Sequence, residues 1–409
     1  AADAGRRAAS QEPPLDAGRW SGSTAADRRE ASYLDALVMG GCDAATDEDL
    51  MARALELARR GEGWVEPNPM VGCVVAKQGR IIGQGWHRQF GEPHAEVNAL
   101  ADASALGELR GATAYVTLEP CCYQGKTPPC TEALVQSGVA RVVIAAKDPN
   151  PKINGRGIER LREVGVEVTV GVLADQANRL LEPFRKWTTR RRPWVLAKWA
   201  MSLDGKIATH TGSSRWISGP ESRAIVHTLR GRVDAIVVGR GSAQTDDPLL
   251  TARPSGPRTA TRIVLDSRAR LSSDSQLVKT IGQAPVLVAA GTNAADEDCQ
   301  RLTREGVDVV RLEACDRAAQ IDELLKLLAG RDMTNVLFEG GAGVFGALLD
   351  QGAVDEVHAF VAPQLIGGAK APGAIAGLGM ASVRSAYRLS EVSVRQTGDD
   401  IYVQGRIKP

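Results

Sequence analysis

The sequence predicts an α/β protein built from two consecutive domains. Three observations lead there. The chain has 409 residues, 43% of them hydrophobic, enough for two or three ordinary cores. Strand-like and helix-like segments alternate along it, the pattern of layered α/β folds. The alternation breaks at Arg190-Arg191-Arg192-Pro193 and then restarts. We therefore expect a tail over 1–46, one domain over 47–190 and a second over 191–409.

The tail lacks periodicity, is rich in Ala, Gly, Ser, Asp and Arg, and reads as mostly disordered. Its acids, among them Asp3, Glu12 and Asp16, argue against a transit peptide. Thr46 can cap a helix whose first turn carries Asp47, Glu48 and Asp49, with Leu50, Ala54, Leu57 and Ala58 on one face. Val71–Ala76 and Ile81–Trp86 read as strands of a hairpin turning through Lys77-Gln78-Gly79-Arg80. A helix over His94–Ala103, a strand over Thr113–Leu118, a helix over Pro129–Ser137 and a strand over Arg141–Ala146 follow. A last helix–strand unit spans Gly157–Val172. Beyond the basic run, strands are expected at Trp194–Ala200, Ala235–Gly239, Arg262–Asp266, Pro285–Ala290, Val307–Leu312 and Asn335–Glu339. Strands at Val354–Val361 and Asp400–Arg406 give the second domain an antiparallel ending.

Composition narrows the function. A net charge of +1 leaves no global field for nucleic acid or a membrane surface. At 4%, aromatic residues are too few for a base-stacking surface. No apolar run approaches the roughly 18 to 20 residues of a membrane span, and a cytoplasmic location is expected. The seven cysteines do not form a disulfide framework. Cys73, Cys299 and Cys315 read as small buried apolar residues, whereas Cys121, Cys122 and Cys130 cluster.

That cluster belongs to the strongest local pattern: His94-Ala95-Glu96, then Pro120-Cys121, then Cys130. Two thiolates and an imidazole would hold one Zn²⁺ and leave a fourth position for water, whose pKa the metal lowers. Glu96, two residues after the histidine, is placed to move protons, not to bind metal. The order His-x-Glu and Pro-Cys is the signature of zinc deaminases. Nucleobase deaminases usually follow with Cys-x-x-Cys, but here eight residues separate Cys121 from Cys130. Such a loop makes room for a polar substrate tail, with Lys126 available to an anionic group and Gly125 letting backbone approach.

At this point the sequence resembles the bifunctional bacterial deaminase/reductase family of riboflavin synthesis. The resemblance lies in Pro67-Asn68-Pro69-Met70-Val71-Gly72, in Gly91-Glu92-Pro93-His94-Ala95-Glu96-Val97, and in Leu118-Glu119-Pro120-Cys121 through Thr127-Pro128-Pro129-Cys130. Four further phrases lie in the second half: Leu196–Ala208, Gly212–Ser218, Thr245–Arg253 and Phe338–Gly343. It covers roughly residues 47 to 408. It implies a cytidine-deaminase-like three-layer domain followed by a dihydrofolate-reductase-like domain. The first would bind Zn²⁺ through His94, Cys121 and Cys130, use Glu96 as acid and base, and contact substrate through Asn68 and Lys126. The family carries His two residues after the first cysteine ligand, where this chain has Tyr123.

The same resemblance implies NADPH near Ala200, Trp216, Ser242, Asp246, Ser267, Gly341 and Gly343. Substrate would meet Lys198, Ser214, Arg230, Leu250, Arg253 and Glu339. The implied substrate is a small phosphorylated pyrimidine, with no nucleic-acid or membrane partner, and the implied assembly is a homo-oligomer. Physical reasons stand beside it. Gly340-Gly341-x-Gly343 follows a strand and opens a helix, so it can present amides to a phosphate, although it is not the Gly-x-Gly-x-x-Gly fingerprint. Arg230 and Arg253 offer forked donors to a sugar phosphate. Asp246-Asp247 reads as a metal pair or as a capped turn, and Pro248 favours the turn. Three other readings remain at this stage: a deaminase acting on a flipped base in nucleic acid, a zinc-stabilised scaffold beside a working reductase, and a plain interaction module.

Overall fold

The computed structural model describes residues 45–104, 109–125 and 128–408. The tail assigned to 1–46 lies almost wholly outside them, as does Lys126. Two sheets organise the chain. The first has five strands, β1 (Gly72–Lys77), β2 (Arg80–Trp86), β3 (Thr113–Leu118), β4 (Arg141–Ala146) and β5 (Glu167–Val170), in the order β2-β1-β3-β4-β5. β1 is antiparallel to both neighbours, while β3, β4 and β5 run parallel. The hairpin turns through Gln78 and Gly79, both at positive φ (52° and 74°), the conformation of the favoured two-residue hairpin turn.

Helices cover both faces of this sheet. Asp47–Arg59 packs on one, and Ala95–Ser104, Cys130–Ser137 and Arg156–Glu163 form the layer on the other. Thr46 closes a reciprocal capping box with Asp49. One core of thirty buried residues, from Leu50 to Leu181, fills the layers.

Helices Ala174–Leu180 and Glu182–Arg190 lead out of the first unit. The second has nine strands: β6 (Trp194–Ser202), β7 (Ala235–Gly239), β8 (Thr261–Leu265), β9 (Val286–Gly291), β10 (Asp308–Leu312), β11 (Asn335–Gly340), β12 (Glu356–Ala362), β13 (Leu389–Thr397) and β14 (Asp400–Ile407). Their order is β10-β9-β8-β7-β11-β6-β12-β14-β13, and only β14 runs against the others, antiparallel to both of its neighbours. Alternate residues feed two cores, one per face: Leu196, Ile236 and Leu337 on one side, Ala197, Val237 and Phe338 on the other.

The cysteines correct the sequence reading in part. Cys73 is buried, but Cys299 is only half-buried and Cys315 is exposed. Cys315 follows β10 in a loop pinned by Glu323, which accepts the amides of Glu313 and Ala314, so it has no sheet or helix face to pack behind. Among the described residues no helix is long and apolar enough to cross a membrane.

Candidate functional site

Helix Ala95–Ser104 starts where the resemblance needs it. The His94 carbonyl accepts the Asn98 amide (3.1 Å), so His94 caps the helix and Glu96 sits in its first turn. The helix lies directly against β2. A Cβ on Gly85 would stand 2.4 Å from the Ala99 nitrogen and one on Gly83 2.4 Å from the Ala99 oxygen, so only glycine admits this approach. β3 delivers Cys121, and Cys130 opens helix Cys130–Ser137 behind Pro129.

These elements bring the three expected ligands together. His94 Nδ1 lies 3.2 Å from Cys130 Sγ and 3.7 Å from Cys121 Sγ, and all three donor atoms fall within 4.8 Å of one another. A tetrahedral zinc with bonds of roughly 2.1 Å to nitrogen and 2.3 Å to sulfur requires edges of roughly 3.6 Å between donors. The donor set therefore fits Zn²⁺ in size as well as in chemistry. Among the described residues it is the one such group of three or more. Asp246 and Asp247 form no metal pair: Asp246 accepts the Ser214 hydroxyl (2.7 Å), while Asp247 accepts the Gln276 amide (2.8 Å), which is the turn reading.

Cys121 is pulled down to about 4, first by a hydrogen bond from Cys130, and His94 adds to the pull. Cys130 is pushed up, first by that same bond and then by burial. Burial raises Glu96 to about 7, helped by the Cys121 thiolate. A buried acid near neutrality is suited to passing protons both ways.

A cavity of about 340 Å³ opens over the triad, the scale of small-ligand pockets. Asn68, His94, Glu96, Cys121 and Tyr123 line it. So do His87, Asp148 and Asn150, which no local pattern in the sequence marks. His87 Nδ1 faces the Pro93 carbonyl at 3.2 Å and Nε2 faces Asn68 Nδ2 at 3.0 Å. The carbonyl can only accept, so Nδ1 donates and Nε2 accepts from the Asn68 amide. Phe184 and Trp187, from helix Glu182–Arg190, complete the wall.

A second cavity, about 470 Å³, opens on the nine-stranded sheet. It gathers Lys198, Ala200, Ser214, Trp216, Arg230, Ser242, Asp246, Leu250, Arg253, Glu339 and Gly341 from across the second half. Ser267 and Gly343 do not line it. Ser267 sits just beyond β8, where its carbonyl accepts the Gly291 amide, and Gly343 is covered by the Arg317 guanidinium. Gly341 has φ 86° and leads into helix Ala342–Asp350. The Gly340 position lies against Ser242 Oγ, 2.8 Å from where a Cβ would stand, so the strand–helix turn is tightly wrapped.

At the floor, Arg230 grips Glu339 with both arms (2.6 and 2.8 Å), and Lys198 lies 3.9 Å from the same carboxylate. The Arg230 fork offered to a phosphate is thus taken by Glu339, leaving exposed Arg253 as the freer cation. Burial pushes Glu339 up, but Arg230 and Lys198 outweigh it and hold the carboxyl below its usual range. Burial lowers Lys198, with Glu339 opposing.

Comparison with known proteins finds two family matches in the chain. Residues 44–146 match the cytidine and deoxycytidylate deaminase zinc-binding region, and 193–403 match the RibD C-terminal domain. The riboflavin biosynthesis protein RibD of Bacillus amyloliquefaciens is 43% identical over 87% of this chain and 95% of its own. That of Actinobacillus pleuropneumoniae is 40% identical over 87% and 94%. The chain belongs to the RibD family. It is a bifunctional enzyme of riboflavin biosynthesis, a zinc-dependent deaminase joined to a reductase. Acinetobacter baumannii RibD superimposes with a TM-score of 0.79 at 34% identity, covering 89% of this chain and 99% of that one. The Thermotoga maritima diaminohydroxyphosphoribosylaminopyrimidine deaminase/5-amino-6-(5-phosphoribosylamino)uracil reductase gives 0.77 at 38%, covering 88% and 99%. The cytidine-deaminase-like and RibD-type reductase folds expected for this family are both present.

Proposed function

We propose that the first domain, 47–190, hydrolyses the 2-amino group of 2,5-diamino-6-ribosylamino-4(3H)-pyrimidinone 5′-phosphate, and that the second, 191–409, reduces the ribosyl chain of the product to ribityl. The carrying observation is the meeting of His94, Cys121 and Cys130 beside a cavity that His94, Glu96 and Cys121 line. His94, Cys121 and Cys130 would hold Zn²⁺, which when bound would acidify a water. Glu96 would take a proton from the attacking water and deliver it to the departing amine, so ammonia leaves neutral. Asn68, its NH₂ engaged by His87, offers its carbonyl oxygen to the pyrimidine edge. Lys126 pairs with the 5′-phosphate.

The second cavity would hold NADPH, which when bound would supply a hydride, near Ala200, Trp216, Ser242, Asp246 and Gly341, with Ser267 and Gly343 outside the cavity wall. The ring-opened imine is held against Lys198, Ser214, Arg230, Leu250, Arg253 and Glu339. The paired charges of Lys198, Arg230 and Glu339 fix the polar tail, and Arg253 meets the phosphate. The test is ammonia release from the diaminopyrimidinone phosphate by zinc-loaded protein without NADPH. Release at enzymatic rates that stops on chelation supports the reading. No release from folded, zinc-containing protein overturns it for the first domain.

A further inference from the structure

We infer that Arg258, a residue of the reductase half, positions the deaminase turn that carries Asn68. The turn runs over 61–68 between helix Asp47–Arg59 and β1. It is closed from within: Glu66 Oε1 accepts the Gly63 amide (3.1 Å) and the Val65 carbonyl accepts the Asn68 amide (2.9 Å). One arm of Arg258, Nη1, reaches the Gly63 carbonyl (3.4 Å), the Glu66 carbonyl (3.3 Å) and Glu66 Oε2 (3.4 Å). The other arm, Nη2, lies 2.6 Å from Asp234 Oδ1.

Asp234 is a rigid anchor. Its side chain is 4% exposed, and Oδ2 accepts the Thr334 amide (2.8 Å), the Asn335 amide (2.9 Å) and the Thr334 hydroxyl (3.1 Å) at the start of β11. The Arg258 amide is itself bonded to the Gly231 carbonyl (2.8 Å). Around this clamp the turn docks onto the second half. Arg232 pairs with Glu62 (2.6 Å), and a Cβ on Gly63 would stand 3.1 Å from Pro257 and 3.2 Å from Arg232. The guanidinium thus ties three acceptors of the turn to the base of the nine-stranded sheet. Asn68 lies at the end of that turn, bonded to His87 and facing the deaminase cavity. Arg258 lines neither cavity. It touches no reacting group and acts through the turn.

The inference rests on the assignment of Asn68 to substrate binding. Its test uses full-length, zinc-loaded protein and four variants: R258M, R258K, N68A and the double N68A/R258M. Deamination is read as ammonia release, and reduction as NADPH oxidation on already deaminated substrate. We expect R258M to raise the deaminase KM by about 10-fold with kcat nearly unchanged and reduction unchanged. R258K keeps a cation on buried Asp234 but loses the second arm, and we expect it to raise KM by about 3-fold. It carries the test if R258M does not fold. In the double variant R258M adds nothing to the loss caused by N68A, because both act through one contact. Unchanged deamination in R258M or R258K, a parallel loss of both activities, or additive losses in the double variant overturns the inference while leaving Asn68 in place. Full deamination by N68A overturns the assignment of Asn68 itself and the inference with it.

Discussion

At the residue scale, two side chains two positions apart do different work because the chain turns into a helix between them. His94 caps the helix and points at two thiols, while Glu96 is buried one step inside. We expect Glu96→Gln to cut ammonia release by about 10² to 10⁴-fold, the usual worth of a general acid–base. Zinc content, read by metal analysis, should be retained, and NADPH oxidation should not change. Tyr123 stands at the cavity wall, 42% exposed, where relatives are expected to carry His. If it serves only to bind, Tyr123→His changes the deaminase KM and leaves kcat alone; a change in kcat would show a part in the chemistry. The meeting of His94, Cys121 and Cys130 was legible in the sequence because each is tied to a local feature, a proline followed by a helix start or a strand end. The partners of Asn68 and Arg230 were not. His87 carries no local mark, and Arg230 meets Glu339 across 109 positions, a pairing that only the fold creates.

At the element scale, the helix bearing Glu96 is held by the absence of side chains beneath it. An alanine Cβ at Gly85 would stand 2.4 Å from the Ala99 nitrogen and 2.6 Å from the Ala95 oxygen, both backbone atoms that cannot swing aside. Gly85→Ala should cost about 2 kcal/mol and displace the helix, so zinc content and ammonia release fall while NADPH oxidation persists. The second sheet carries a buried polar column. Glu356 accepts from Trp194 and Gln404 and lies 3.1 Å from His358 Nε2. Burial raises Glu356, but His358, Arg232 and Trp194 overcome it and bring the carboxyl down to about 2. A depressed carboxylate stabilises the fold above its unfolded pKa and loses that contribution as pH falls through its folded value. Glu356→Gln should therefore cost up to about 3 kcal/mol at neutral pH. The gap in melting temperature should close as the pH is lowered from about 4.5 to about 2; a gap independent of pH would assign the loss to packing. Most strands were legible because their faces alternate or are wholly apolar. β13 was not: it is the outer strand, and Val392 and Val394 are both exposed, so no buried face imposes a pattern. Helices Ala174–Leu180 and Glu182–Arg190 escaped for a related reason, since only Ala177 among their residues is fully buried.

At the scale of the whole molecule, the two halves keep separate cores, and ion pairs help to join them. The core of the first sheet ends at Leu181 and those of the second begin at Trp194. Between them stand the ion pairs Arg232–Glu62, Arg258–Glu66, Lys186–Asp355 and Arg406–Glu182. A cavity of about 190 Å³ beside them is lined by Glu66, Arg232, Glu356 and Arg406 together with Met70, Leu180, Phe184 and Leu196, so the interface is not tightly filled. Contacts of this kind fix geometry but add little cooperativity, because paired charges gain little over their hydrated forms. The halves should accordingly unfold as two calorimetric transitions, each answering to its own ligand. Removing zinc should lower only the transition of the first half. NADPH at 100 times its Kd should raise only that of the second, by about 2.7 kcal/mol. Chelation should abolish ammonia release while NADPH oxidation on deaminated substrate continues at its former rate. A single transition displaced by either ligand would mean that the charged interface couples the halves as strongly as a common core. The Arg258 clamp would then carry stability across the interface as well as the position of Asn68.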